Sequence, residues 1–263
     1  MPDCPEVGKL RRMYVFVILW LAAVFVVYFF GQGDRTFLLF ASDIISPVSA
    51  FLPALYSLTL VRRYGIDPKD RFTRVWLYVA VGLVLWVLGE IMWGVYTLLL
   101  SVSEPYPSVA DVFWIAGYLP LVIALLLYIA PFKGALSLKS VLSAVAVALL
   151  TDVGVFAVLI GPVFGPSADP ATQLFDFAYP ILDMVLLGVS IAGMLIFLPG
   201  RISRLWVWLN LGFISIAIAD ILFSYSSALG TYYEGHPLEL FYFLGDTAIL
   251  LGLYEHTRAL HAD

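Results

Sequence analysis

The feature that most constrains this chain is a series of eight almost wholly apolar runs, at 13–30, 37–61, 75–100, 110–130, 141–160, 172–198, 205–229 and 238–254. A hydrocarbon core about 30 Å thick takes about 20 such residues per helix, so each run is long enough to cross a bilayer. Composition agrees. Hydrophobic residues make up 62% of the 263 and charged residues 13%, with a mean hydropathy of +0.97, against about 45–50% and 25% in a soluble domain. That balance excludes a soluble enzyme and a disordered regulator. The net charge of −5 without a basic patch excludes a nucleic-acid binder. The single cysteine, Cys4, excludes an intrachain disulfide framework and a Cys-based metal site. The expected fold is an all-α polytopic membrane protein of eight transmembrane helices in the lipid bilayer. The first run follows Arg11 and Arg12 as a signal peptide would, but it ends in Gly-Gln-Gly-Asp without a small-residue cleavage site and is read as a retained anchor.

Positive residues resist translocation, so their distribution sets orientation. Lys9, Arg11, Arg12, Arg62, Arg63, Lys69, Arg71, Arg74, Lys133, Lys139, Arg201, Arg204 and Arg258 all fall on one side of an eight-span arrangement, and Arg35 alone falls on the other. Both termini are therefore expected in the cytoplasm, with the chain in the cell membrane. Trp76, Trp206 and Trp208 stand just inside the basic loops, at the interface depth that indoles favour.

The two halves, 1–135 and 136–263, resemble each other. Asp43 precedes Pro47 as Asp176 precedes Pro180. Gly89-Glu90 with Trp93 matches Ala219-Asp220 with Phe223, and the run from Asp111 to Gly117 matches that from Glu239 to Gly245. Four helices per unit is an even number, so the expectation is two parallel four-helix repeats about a pseudo-twofold axis along the membrane normal.

Nine acids lie within the expected spans: Asp43, Glu90, Asp111, Asp152, Asp176, Asp183, Asp220, Glu239 and Asp246. An Asp at the bilayer centre costs about 2.5–3.5 kcal/mol even on insertion scales. Such groups must hold protons, accept hydrogen bonds, meet water or bind a cation. The six duplicated acids fall in the extracytoplasmic half, whereas Asp152, Asp183 and Asp246 lie deeper. The expectation is one outward-open polar cavity, with Asp183 and Asp246 at its floor and Trp93, Tyr96, Trp114, Tyr118 and Tyr225 as aromatic wall. Plainer roles stand beside that one. Ser108 and Asp111 form a capping box behind Pro107, and Glu239 stands similarly behind Pro237. Pro47 and Pro180 free the carbonyls of Asp43 and Asp176, which serves a cation, a water or a mere kink. Glu90 and Asp220 could simply bond buried Tyr or Trp. The candidate ligand-binding set is Asp43, Glu90, Trp93, Asp111, Trp114, Asp176, Asp183, Asp220, Glu239 and Asp246; it defines no particular metal or cofactor.

No Lys lies mid-span for a Schiff base and no intramembrane His pair exists for haem, since His236 is placed in an outer loop and His256 and His261 in the tail. Leu244-Gly245-Asp246 lacks the first glycine of the intramembrane aspartyl protease motif. No serine-protease, HExxH or phosphate-loop motif occurs. Nothing supports catalysis, and an enzyme acting on lipid ranks last.

The segment Pro107-Ser108-Val109-Ala110-Asp111-Val112-Phe113-Trp114 with Gly117-Tyr118, together with Ala178–Asp183 and Ala217–Tyr225, resembles the N-terminal multi-helix membrane regions of diguanylate cyclases (GGDEF proteins) and prokaryotic sensor histidine kinases. The likeness spans roughly the third to the eighth run, and no output domain is expected after Tyr254. It implies a sensor- or receptor-like module; the expected acidic, aromatic cavity would bind a small cation, metal or amphiphile, and the cytoplasmic loops would signal to a separate partner. The basic loop 62–74 and the tail 255–263 would be its contact surfaces. The alternative is a proton- or cation-coupled transporter of small solutes, since duplicated units with intramembrane acids suit alternating access.

Overall fold

The computed structural model describes residues 5–102, 105–135 and 169–259, with positions 142 and 146. Among the described residues seven helices run in the order α1 (Pro5–Gly31), α2 (Arg35–Tyr64), α3 (Arg71–Gly94), α4 (Val109–Ile129), α5 (Pro170–Phe197), α6 (Ser203–Ala228) and α7 (Leu240–Ala259). A wider π turn, Val95–Leu99, extends α3, and 3₁₀ turns follow α4 (Ala130–Ala135) and precede α7 (Pro237–Glu239). Seven segments are long and apolar enough to cross a membrane, and no strand occurs among the described residues. The chain is thus all-helical with the build of a multi-pass membrane protein. The expected span 141–160, with Asp152, lies outside the described residues apart from positions 142 and 146.

Side-chain caps define where the helices start. Asp34 accepts from the Phe37 N–H, Asp70 from Thr73, and Asp169 from Ala171 and Thr172 behind Pro170. Ser108 with Asp111, and His236 with Glu239, close reciprocal capping boxes, each satisfying donors that a helix start otherwise leaves orphaned. Pro47, Pro53, Pro120 and Pro180 are carried inside continuous helices.

Two helix pairs cross at glycines. A Cβ on Gly82 would stand 2.9 Å from the Gly117 carbonyl oxygen, and one on Gly117 would stand 2.9 Å from that of Gly82. In α6 and α7 the reciprocal distances at Gly212 and Gly245 are 3.0 and 3.1 Å. Without hydrophobic drive between helices in lipid, small residues let backbones approach and gain dispersion contacts. The helices then interlock reciprocally: α2 packs on α3 and α7, while α5 packs on α6 and α4. The outer faces carry exposed apolar side chains such as Ile18, Phe29, Phe51, Leu119 and Leu174, as lipid contact requires. α1, whose face is mostly of this kind, is held by three polar pegs: Tyr14 to Glu255, Trp20 to Ser49 and Tyr28 to Glu239.

The end bearing the basic loops is plugged by aromatics. Trp76, Trp206, Tyr128, Phe197 and Tyr64 close around His256, whose ring lies 4.5 Å from Trp76. Tyr64 and Tyr128 engage its Nε2 and Nδ1 at 3.1 and 3.3 Å. Here the expected tail surface is corrected. α7 continues past Tyr254, because Glu255 and His256 are inward-facing and both buried. Glu255 accepts from Tyr14 and Arg258 and pairs with Arg204 at 3.6 Å. These two residues pin the last helix to α1, α2, α4 and α6 and are not available as a contact surface.

Candidate functional site

At the opposite end α2, α4, α5 and α7 begin and α3 and α6 finish, which brings the acids together. Asp111 and Glu239 sit in first turns, Asp43 and Asp176 lie about two turns in, and Glu90 and Asp220 come within about two turns of helix ends. A cavity with an empty volume of about 960 Å³, its open mouth included, lies between them. Among the described residues its acids are Asp43, Glu90, Asp111, Asp220, Glu234, Glu239 and Asp246, and no Lys, Arg or His lines it. Trp86, Trp93, Tyr106, Trp114, Tyr118, Phe223, Tyr232 and Tyr242 form most of the remaining wall.

Eight of the ten sequence candidates therefore share one cavity. Two do not reach its surface. Asp176 lies behind Tyr106, whose hydroxyl donates to it at 2.7 Å, and Asp183 lies behind Tyr118, which donates at 2.6 Å. Asp183 is thus not part of the expected floor, because a tyrosine ring intervenes. Tyr96 and Tyr225 likewise stand outside the wall.

The hydrogen bonds separate structural acids from free ones. Glu239 accepts from Tyr28, Ser42, Tyr232 and the N–H groups of Gly235 and His236. Five donors occupy the lone-pair sites that two carboxylate oxygens offer, so Glu239 is a cap and a helix clamp with no capacity left for a ligand. Asp111 accepts from the Ser108 N–H at 2.6 Å and the Tyr179 hydroxyl at 2.8 Å. Asp43 accepts from Thr97 at 2.6 Å, Glu90 from the Trp114 indole at 3.0 Å, and Asp220 from Tyr242 at 2.6 Å. Tyr118 also stands 3.2 Å from Asp220.

Glu234 is a site residue that a census of acids within spans passes over. The loop after α6 folds back over the mouth and brings its carboxylate to the Trp93 indole at 2.9 Å. Burial pushes the Glu234 carboxyl well above its ordinary range, and the charges of Glu239 and Asp43 push the same way. Burial and the adjoining acids also raise the Tyr106 and Tyr232 hydroxyls, which hold their protons and serve as donors. The cation nearest this loop, Arg35, is turned away onto the Tyr233 ring, 3.2 Å from its centroid, and together with burial it lowers the neighbouring His236.

The wall is an aromatic cage. Trp93 and Trp114 lie 5.7 Å apart, Phe223 meets Trp93 at 5.8 Å and Tyr106 at 5.3 Å, and Tyr232 meets Phe223 at 4.8 Å. Both indole N–H groups point at carboxylates, to Glu234 and Glu90. Indole faces are the best partners for a cation held within about 6 Å. Among the described residues no three His, Cys, Asp or Glu side chains converge as a metal site would require. Comparison with family models, with curated proteins and with solved structures finds no match for this chain.

Proposed function

We propose that this protein is a membrane-embedded, receptor-like module whose acidic, aromatic cavity takes a small organic cation, an amine or quaternary ammonium on an apolar body. One observation carries this reading: caged indoles and carboxyls share a cavity with no basic residue in its lining among the described residues. Such a wall favours a diffuse charge with hydrocarbon around it, by cation–π attraction and charge together. It disfavours a small metal ion, which needs several converging oxygens. The basic residues gathered at the plugged end set both termini in the cytoplasm and the mouth outside. The loop 62–74 is then the cytoplasmic surface available to a signalling partner, as the likeness to sensor membrane regions suggests.

The same reading takes the chain as two parallel four-helix units. Supporting this, the glycine crossings fall at offsets of 130 and 128 residues, and so do the Trp114–Glu90 and Tyr242–Asp220 bonds and the two capping boxes. That pseudo-symmetry also favours the second reading, a cation-coupled transporter; the plugged inner end favours the receptor.

Titration with phenyltrimethylammonium, followed by indole fluorescence in detergent or nanodiscs, tests the proposal. Quenching that saturates, and weakens at least tenfold in Trp93→Ala and Trp114→Ala, is expected. Absence of saturable binding by this probe and by tetrabutylammonium overturns it. Electrogenic uptake of the probe into proteoliposomes would replace the receptor by the transporter.

A further inference from the structure

Every other acid of the cavity wall has a hydrogen-bond donor, whereas Asp246 has none among the described residues. It stands about two turns into α7, is 8% exposed, and what exposure it has is to the cavity. The groups facing that space from the surrounding helices are Asp43 on α2, Glu90 on α3, Asp111 and Tyr118 on α4, Tyr179 on α5 and Asp220 on α6. From the loops at the mouth, the turn before α7 and α7 itself come Tyr106, Tyr232, Glu234, Glu239 and Tyr242. None is a cation. A carboxylate buried without a donor or counter-charge takes a proton instead of remaining ionised.

The relation between the halves singles out the same position. At the offset of 128 residues that aligns Gly117 with Gly245, Asp246 takes the place of Tyr118. In the first half that place is occupied by a phenol whose hydroxyl bonds both Asp183 and Asp220. In the second it is occupied by an acid without a hydrogen bond among the described residues. An unpartnered group in a well-satisfied surrounding is costly to keep and needs a use.

We propose that Asp246 is the cavity's exchange site: it is a carboxylic acid when the cavity is empty, and an entering organic cation takes the place of its proton. The step balances one for one. The O–H bond breaks, the proton leaves through the mouth to water, and the ammonium stays beside the carboxylate. This deepens the organic-cation reading and depends on it.

The test is calorimetric titration of phenyltrimethylammonium, whose charge is independent of pH, into the full-length protein in nanodiscs. Comparing phosphate with Tris buffer counts protons. About one proton released per cation bound is expected, with Kd falling up to tenfold per pH unit while Asp246 remains protonated in the empty state. Asp246→Asn should bind more weakly and release no proton, and Asp246→Glu should restore release. Should the Asn variant elute as an aggregate, the wild-type proton count and the Glu variant decide. Binding without proton release in the wild type overturns the exchange while leaving the cation reading intact. Release that persists in Asp246→Asn overturns the assignment to Asp246. Absence of binding overturns both.

Discussion

A single methyl group at Gly117 tests how the bundle is held together. An ideal Cβ there would stand 2.5 Å from Cδ1 and 2.7 Å from Nε1 of Trp86, and 2.9 Å from the Gly82 carbonyl oxygen. Carbon contacts are comfortable at about 3.5–4.0 Å, and the carbonyl belongs to a helix, so α3 and α4 must part by roughly 0.5–1 Å. Overpacking of this size costs about 1–3 kcal/mol. The indole also loses its 3.0 Å bond to the Trp114 carbonyl, which adds about 1 kcal/mol. Gly117→Ala should therefore cost about 2–4 kcal/mol. Its counterpart Gly245→Ala meets Ile216 at 2.5 Å and the Gly212 carbonyl oxygen at 3.1 Å, with no such bond to break, and should cost about 1 kcal/mol less. Gly82→Ala clashes with the same crossing, so one separation relieves both methyls. The double variant should fall short of additivity by about 1–2 kcal/mol. Gly94→Ala is the control: its nearest neighbour is 3.6 Å away, and replacing a helical glycine gains about 0.5–1 kcal/mol. Reversible unfolding in mixed micelles measures all five. Wild-type stability of Gly117→Ala, or simple additivity of the pair, would falsify close contact at this crossing.

Two further outcomes are expected. The raised Glu234 carboxyl means that the folded protein holds this proton more tightly than the unfolded chain does. Its contribution is thus fully present below the ordinary glutamate range and is lost as pH rises, at up to about 1.4 kcal/mol per unit; Glu234→Gln should flatten the fall in melting temperature between pH 5 and pH 8, and a profile as steep as wild type's refutes this. The proposed orientation, with both termini in the cytoplasm, makes Cys4 resist a membrane-impermeant maleimide in intact cells, while a cysteine introduced at Gly33 in a Cys4→Ser background should react; the reverse pattern would invert the orientation.

Much of the architecture was legible because lipid leaves few options. Apolar length marks a helix, and seven of the eight runs are helices among the described residues. The capping boxes at Asp111 and Glu239 were readable because they are local, spanning three residues each. What could not be read depends on partners distant in sequence. Nothing near Glu239 announces Tyr28, 211 positions away, so its saturation was invisible and it passed as a ligand candidate. Depth alone puts Asp183 at the cavity floor, yet depth does not say that the Tyr118 ring stands in front of it. Glu234 escaped because it lies between spans, although the sequence Tyr-Tyr-Glu-Gly-His-Pro offers two phenols and a cap in one short loop. Glu255 and His256 looked like tail because hydropathy drops there, whereas polar residues ending a membrane helix can turn inward to one another.

The cavity is open at one end and sealed at the other by Trp76, Trp206, Tyr128 and His256, and this shape governs where the membrane's electric field falls. In the proposed orientation, water entering the mouth would carry the outer potential inward, and the voltage would drop mainly across the aromatic plug. A cation moving toward Asp246 would descend part of that drop. One elementary charge crossing the whole membrane exchanges about 2.3 kcal/mol per 100 mV, so each tenth of the field traversed contributes about 0.2 kcal/mol. If a proton travels the opposite way, the two displacements cancel to the extent that their paths coincide. Occupancy of the site would then be nearly blind to voltage where cation and proton share one path, and would follow it where they do not.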